Sequence, residues 1–303
     1  RVSSWLNGGL FGAGGLFGDG AGYVAGGYGQ TDAIDKITFA NDSTETLAAV
    51  LSQARYYVAG CSNGSSYGYA AGGNVSGTGV VNTIDKFDYS DDTCGAAGDT
   101  LDTAGHNAGG LANGTTYGYW GAGTTWTTGI EKTNFSTDAT AAIAPTLDQN
   151  MNACATFAEP TVAGYWCGGQ LIATICKTDF SNDSTANIAE TLTTAVYYPG
   201  GLNNGSTAGY SAGGHDGSSA IDTIDKTDFS DDSTAAIVPT LSVARYYLSG
   251  LASGIIAGYW CAGTPNKNVI DKTDFSDDST AAIASTFSGY YGRAAFSSAY
   301  DAT

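Results

Sequence analysis

The chain has 303 residues, with 29 acidic and 11 basic side chains, a formal net charge of −18, 42% hydrophobic and 12% aromatic residues. That much apolar and aromatic content excludes a disordered chain. The acidity excludes nucleic acid and anionic membrane surfaces as partners, since both require a basic footprint. No run approaches the ~18 apolar residues that cross a bilayer, so membrane insertion is not expected. The 44 glycines and 19 tyrosines suit closely stacked strands better than helices, where each glycine costs ~1 kcal/mol relative to alanine. Strong acidity suits a salty extracellular setting in which repulsion is screened. The sequence opens at Arg1 without a secretion-signal pattern, and it is expected to be a processed form or one piece of a longer polypeptide.

Taken in chain order, Trp5 to Phe17 reads as an inner strand, and from there three markers recur in fixed sequence. The first is a Gly-Tyr pair at Gly22-Tyr23, Gly68-Tyr69, Gly118-Tyr119, Gly164-Tyr165, Gly209-Tyr210 and Gly258-Tyr259, spaced by 46, 50, 46, 45 and 49 residues. The second is Lys36, Lys86, Lys132, Lys177, Lys226 and Lys272, in contexts such as Ile-Asp-Lys-Thr-Asp-Phe. The third is a polar cluster, as at Asn41-Asp42-Ser43-Thr44 and Asp277-Asp278-Ser279-Thr280. Asn63-Gly64, Asn113-Gly114 and Asn204-Gly205 mark tight hairpins, because Asn-Gly supplies the positive φ angles such turns need.

The last full copy shows the unit best. Tyr246 to Ala252, Ala257 to Gly263, Val269 to Phe275 and Thr280 to Thr286 read as four strands, the last two joined by the Asp277-Asp278-Ser279 turn. Four antiparallel strands per repeat without a helical period predict an all-β fold, a β-propeller of four-stranded blades. The expected domain is single, residues 1–303, with repeats starting near 10, 53, 103, 149, 195 and 243. Six blades follow if Trp5 to Phe17 completes the first. The tail, 288–303, carries the Arg-led stretch Arg293 to Ala299, which closes the ring or begins a seventh blade.

The stretches Leu51-Ser52-Gln53-Ala54-Arg55, Gly68-Tyr69-Ala70-Ala71-Gly72-Gly73 and Ile84-Asp85-Lys86-Phe87-Asp88-Tyr89 resemble the kelch repeat family. There, an Arg-led inner strand precedes an aromatic strand ending in a glycine doublet. The doublet recurs at Gly26-Gly27, Gly168-Gly169 and Gly213-Gly214, and becomes Ala-Gly at Ala122-Gly123 and Ala262-Gly263. The resemblance covers residues 10 to 287 and lacks the tryptophan that usually opens the kelch outer strand. The Asp-Phe-Ser-Asp-Asp-Ser-Thr turns are also similar to repeat proteins of bacteriophage tails or virions and of marine bacteria.

Each candidate site has a plainer reading. The repeated lysines could form a ring of ligand contacts, but pairing with acids such as Asp85 and Asp88, within or between blades, explains them as well. The carboxylate pairs Asp91-Asp92, Asp231-Asp232 and Asp277-Asp278 are weak calcium candidates; turns facing water are the commoner use of adjacent aspartates. His106 and His215 do not make up the ligand set of a copper oxidase of the galactose-oxidase type, and no sialidase box or nucleophile elbow is present. No cofactor and no metal is expected. Of the six cysteines, Cys167 and Cys176 fall on adjacent strands and are the candidate disulfide.

Propeller ligands sit at the mouth of the central channel. The loops there bring Arg55, Tyr56, Arg245 and Tyr246 from the inner-strand entries, and Trp126, His215 and Asp216 from the loops joining second to third strands. Rings stacked on sugar faces, with Arg and Asp bonding hydroxyls, would make a glycan site; packing between blades is the alternative use of the tyrosines. The expectation is a non-enzymatic extracellular or virion-surface module, a tail, fibre or surface-assembly component contacting host glycans or partner subunits, with homo-oligomers allowed. The alternative is a carbohydrate-active enzyme on the same scaffold.

Overall fold

The computed structural model describes residues 20–125, 128–265 and 268–298, and every regular element among them is a β-strand. They form a six-bladed propeller. Each blade is a four-stranded antiparallel sheet ordered from the axis outwards. Blade 2 comprises Ala59–Ser62, Tyr67–Ala71, Thr83–Asp88 and Thr93–Thr100. Blades 3 to 6 follow the same plan, with inner strands Gly109–Asn113, Ala155–Glu159, Gly200–Asn203 and Ser249–Ser253.

Blade 1 is assembled from both ends of the chain. Its inner strand is Ala294–Ser297, paired antiparallel with Ala21–Ala25, so that Gly22 faces Ser297 and Ala25 faces Ala294. Ala33–Thr38 and Ser43–Val50 complete it. The tail therefore closes the ring and starts no seventh blade. Trp5 to Phe17, the expected inner strand, lies outside the described residues, and the place proposed for it is taken by the tail.

Burial follows position in the blade. Second strands such as Ala-Gly-Tyr-Trp-Cys at Ala163–Cys167 are buried at every residue because neighbouring blades cover both faces, whereas the outer strand Ser43–Val50 has no buried residue. The Gly-Tyr glycine is the contact point between blades. A Cβ on Gly68 would stand 2.1 Å from the Phe296 ring, and one on Gly209 2.0 Å from Phe157. The same glycine receives Cys61 at Gly118, Leu111 at Gly164, Leu202 at Gly258 and Leu251 at Gly22. Each blade thus inserts one inner-strand side chain into a gap that only a missing Cβ provides. The first doublet residue has positive φ in all six blades, near 60–70°; Ala122 and Ala262 adopt it as the four glycines do.

A second contact is equally regular. The lysine and tyrosine face each other across the second and third strands, as in Tyr69 opposite Lys86. Both reach one aspartate in the outer turn of the next blade: Lys36 and Tyr23 to Asp92, Lys86 and Tyr69 to Asp138, Lys132 and Tyr119 to Asp183. Lys177 and Tyr165 reach Asp232, Lys226 and Tyr210 reach Asp278, and Lys272 and Tyr259 return to Asp42 of blade 1. Ammonium–carboxylate distances are 2.7–2.9 Å. The expected lysine partners are corrected here. Lys86 passes over Asp85 and Asp88, since Asp85 takes the Arg55 guanidinium and Asp88 caps its own turn at Ser90.

Two measurements follow. Gly209→Ala should cost ~1–3 kcal/mol through overpacking against Phe157, while Gly95→Ala, whose Cβ would meet nothing within 4 Å, should be neutral in thermal denaturation. Burial first, and then the aspartate, push the six tyrosines of these contacts well above the ordinary phenol value. The folded chain therefore keeps protons that the unfolded chain loses above roughly pH 10. Stability should be intact below that pH and fall as pH rises beyond it, with tyrosinate absorbance appearing together with the loss of β-sheet circular dichroism.

Candidate functional site

One end of the ring carries the loops joining second to third strands and the connections entering the inner strands. At this mouth, Tyr57, Asn107, Ala153, Tyr198, Tyr247 and Gly292 occupy equivalent positions, all with φ between 55° and 64°. That left-handed turn points each backbone N–H at the carbonyl of its neighbour. Tyr57 donates to Gly292, Asn107 to Tyr57, Ala153 to Asn107, Tyr198 to Ala153, Tyr247 to Tyr198 and Gly292 to Tyr247, at 2.7–3.3 Å. Six bonds run head to tail around the axis and fix the mouth as a collar. Beneath it lies a channel of about 250 Å³ lined by small inner-strand residues, including Gly60, Gly110, Gly201 and Gly250.

The side chains on the collar break the symmetry. Tyr57 and Tyr247 stack at 4.9 Å between ring centroids, and Tyr247 and Tyr198 at 3.9 Å. They meet because the intervening position is Gly292, where a Cβ would come within 2.6 Å of the Tyr57 ring. Tyr56 packs edge-on against Tyr57 and Tyr28, Tyr28 stacks on Tyr291, and Tyr246 meets His215 edge-on. The result is an aromatic crescent over blades 5, 6, 1 and 2. Blades 3 and 4 complete the mouth with His106, which stacks on Tyr57 at 5.7 Å, and with Asn107 and Asn152, the last donating to Thr124. Burial, then neighbouring phenols, push Tyr291 up to about 12, and burial first raises Tyr57 and Tyr247. Burial lowers His106. These phenols and this imidazole are neutral at pH 7.

The structure sorts the expected site residues. Tyr56, Tyr246 and His215 belong to the crescent. Asp216 lies beside His215 but accepts the amides of Ser218 and Ser219, which hold its pKa down. Trp126 lies outside the described residues. Arg55 and Arg245 are corrected: both are fully buried and turn back into their blades. Arg55 donates to the carbonyls of Ala70, Gly72 and Thr83 and to Asp85; Arg245 donates to Trp260 and to Asp271. The terminal nitrogens of the guanidinium satisfy carbonyls left where the second and third strands diverge, and the one donor without a partner, Nε, is buried inside the blade. Arg293 does the same for Val24 and Asp35, although it follows Tyr290-Tyr291 where the other arginines precede their tyrosine pairs.

The paired aspartates also separate. Asp91, Asp231 and Asp277 cap their own turns at Thr93, Ser233 and Ser279, whereas Asp92, Asp232 and Asp278 receive the neighbouring lysine. A calcium ion would have to displace an ion pair to bring both carboxylates together. Among the described residues, no group of three His, Cys, Asp or Glu side chains is placed to hold a metal. The disulfide expectation fails on parity. Cys167 lies opposite Ile175 and Cys176 opposite Trp166, so the two thiols point to opposite faces of the sheet and pack in different clusters. All six cysteines are free, and burial raises every thiol.

Sequence reasoning missed Tyr28, Tyr57, Tyr197, Tyr198, Tyr247 and Tyr291. The available signal was the Tyr-Tyr doublet at 56–57, 197–198, 246–247 and 290–291, which returns at one place in the repeat. In comparisons with known proteins, no family model matches the chain and no curated protein matches its sequence.

The buried arginines give a sharp stability expectation. Arg245→Met strands Asp271 in the interior and should cost ~3–5 kcal/mol, whereas Arg245→Met with Asp271→Leu should recover most of that loss. Urea unfolding of the two variants checks it.

Proposed function

We propose that the chain is a rigid, non-catalytic binding module that holds a glycan against the aromatic crescent at its channel mouth, as part of an extracellular or virion-surface appendage. The observation that carries this reading is the asymmetry of the mouth. The lysine–tyrosine–aspartate contacts between blades repeat in all six copies, whereas here four blades offer tyrosine rings and two offer amides and an imidazole. Half-exposed rings beside amide donors and acceptors match the alternating apolar faces and hydroxyl edges of a sugar. The collar supplies pre-organisation, which lowers the entropic cost of binding.

The Arg-led inner strands and glycine doublets resemble kelch blades, and the acidic turns resemble repeats from phage virions. Both support a surface or appendage role, with partner subunits on the remaining faces. A catalytic reading is less well supported. Asp216, the carboxylate expected at the mouth, is held ionised by two amides, which suits a turn and not a general acid near neutral pH. A glycan array followed by titration calorimetry tests the proposal. Wild-type protein should bind a defined glycan without releasing product. Tyr246→Ala should weaken binding about fivefold to tenfold, the worth of one aromatic contact. Failure to bind any glycan, or steady product release, would overturn it.

A further inference from the structure

We infer that the ligand of the mouth is an uncharged oligosaccharide, with more than one sugar unit in contact and no requirement for carboxylate, sulfate or phosphate groups. This rests on the reading that the mouth binds a glycan and adds its charge and length. The charge argument comes from counting cations. All nine lysines and arginines among the described residues are paired with aspartates: six in the contacts between blades, three buried inside blades 1, 2 and 6. The three arginines nearest the mouth are the buried ones. An acidic sugar would find no free guanidinium or ammonium among the described residues, outside which Arg1 and Lys267 lie, and would enter the field of a protein carrying −18, where like charge is costly.

The length argument comes from ring geometry. Centroid contacts run without a break from Tyr28 to Tyr56, Tyr57, Tyr247 and Tyr198, at 5.3, 4.8, 4.9 and 3.9 Å. The path begins at the rim, where Tyr28 is 45% exposed, and follows the mouth over blade 1 and blade 6 to blade 5. A single pyranose covers one or two of these rings; the whole crescent fits a chain laid across it. The cavity ringed by the collar, about 100 Å³, and the channel beneath it, about 250 Å³, are both smaller than the roughly 300 Å³ at which ligand pockets begin, so the binding surface is the crescent and not the channel.

The test is calorimetry with neutral hexose oligomers, from the monosaccharide upward, beside carboxylated and sulfated chains of matched length, at low and physiological salt. Affinity for neutral chains should rise about tenfold or more from monosaccharide to oligomer and stay constant with salt, as expected without charge–charge contacts. The acidic chains should bind about tenfold or more weakly than their neutral counterparts. Tyr28→Ala, at the exposed rim, should lower affinity for long chains about fivefold and leave short chains unaffected, with thermal unfolding unchanged as the folding control. Acidic chains binding as tightly as neutral ones, or monosaccharides as tightly as oligomers, would overturn this inference while leaving a glycan module standing. Binding of no chain of either charge would remove the glycan reading itself.

Discussion

Each blade of this ring hands a lysine and a tyrosine to one aspartate of its neighbour, and the sixth hands its pair back to the first. The interfaces between blades are otherwise apolar: beside glycine, alanine and the inserted side chain, the same tyrosine stacks on a ring of the next blade at 4.9–5.3 Å between centroids in all six copies. The charged contact supplies direction. It sets which strand of one blade meets which turn of the next, and it obliges the turn aspartate to hold a left-handed conformation, φ 54–61° in all six copies. Aspartate tolerates that conformation better than most residues because its short side chain bonds locally. The lysines are only partly exposed, 18–32%, so each pair is stronger than a fully hydrated one and weaker than a buried one. Six modest contacts in a closed ring act together, since opening one interface in a closed ring strains the others.

This arrangement also explains the chain's unusual charge. The described lysines are used at the interfaces and the described arginines inside blades, so no described cation is left to balance the remaining carboxylates at the turns and outer strands. Acidity is thus a consequence of where the few cations are needed. The burial of the arginines follows a local rule: a third-strand aspartate and the neighbouring strand-end carbonyls present several acceptors to one planar donor, which a guanidinium meets better than an ammonium. Where the arginine is absent, the acid finds other donors. Glu131 accepts the amides of Asp102 and Thr103, and Asp225 accepts the hydroxyl of Thr193; burial raises both carboxyls.

The repeat made blade type and strand order readable, because Gly-Tyr, lysine and turn aspartates mark the second strand, the third strand and the outer turn in every copy. Blade closure was not readable, since the Arg-led tail and the Gly-Leu-Phe segment at the other end carry equally good inner-strand patterns. Parity defeated the disulfide: adjacency of strands follows from the repeat, but whether Cys167 and Cys176 share a face depends on a register one residue fine. The arginines were placed at the mouth because their backbones enter there, yet the side chain is long enough to turn back to Asp85 or Asp271. Arg293 shows the limit most clearly. It delivers the same guanidinium to the same acceptors from a backbone site three residues displaced, which no alignment of repeats by spacing reveals.

That displacement bears on the mouth. In blades 2 and 6 the arginine precedes a Tyr-Tyr pair, and the second tyrosine occupies the collar. In the tail, moving the arginine past the collar leaves Gly292 at that position, with Tyr291 beside it, and the vacant side-chain volume is what lets Tyr57 and Tyr247 touch across blade 1. The strand that closes the ring is therefore also the strand that joins the two halves of the aromatic crescent. The outer turns that bind blade to blade lie at the opposite end of every strand from this surface. The crescent and the lysine–aspartate contacts occupy opposite ends of one scaffold, and the collar that joins the blades at the mouth is made by backbone groups, so side chains there can vary without removing either set of contacts.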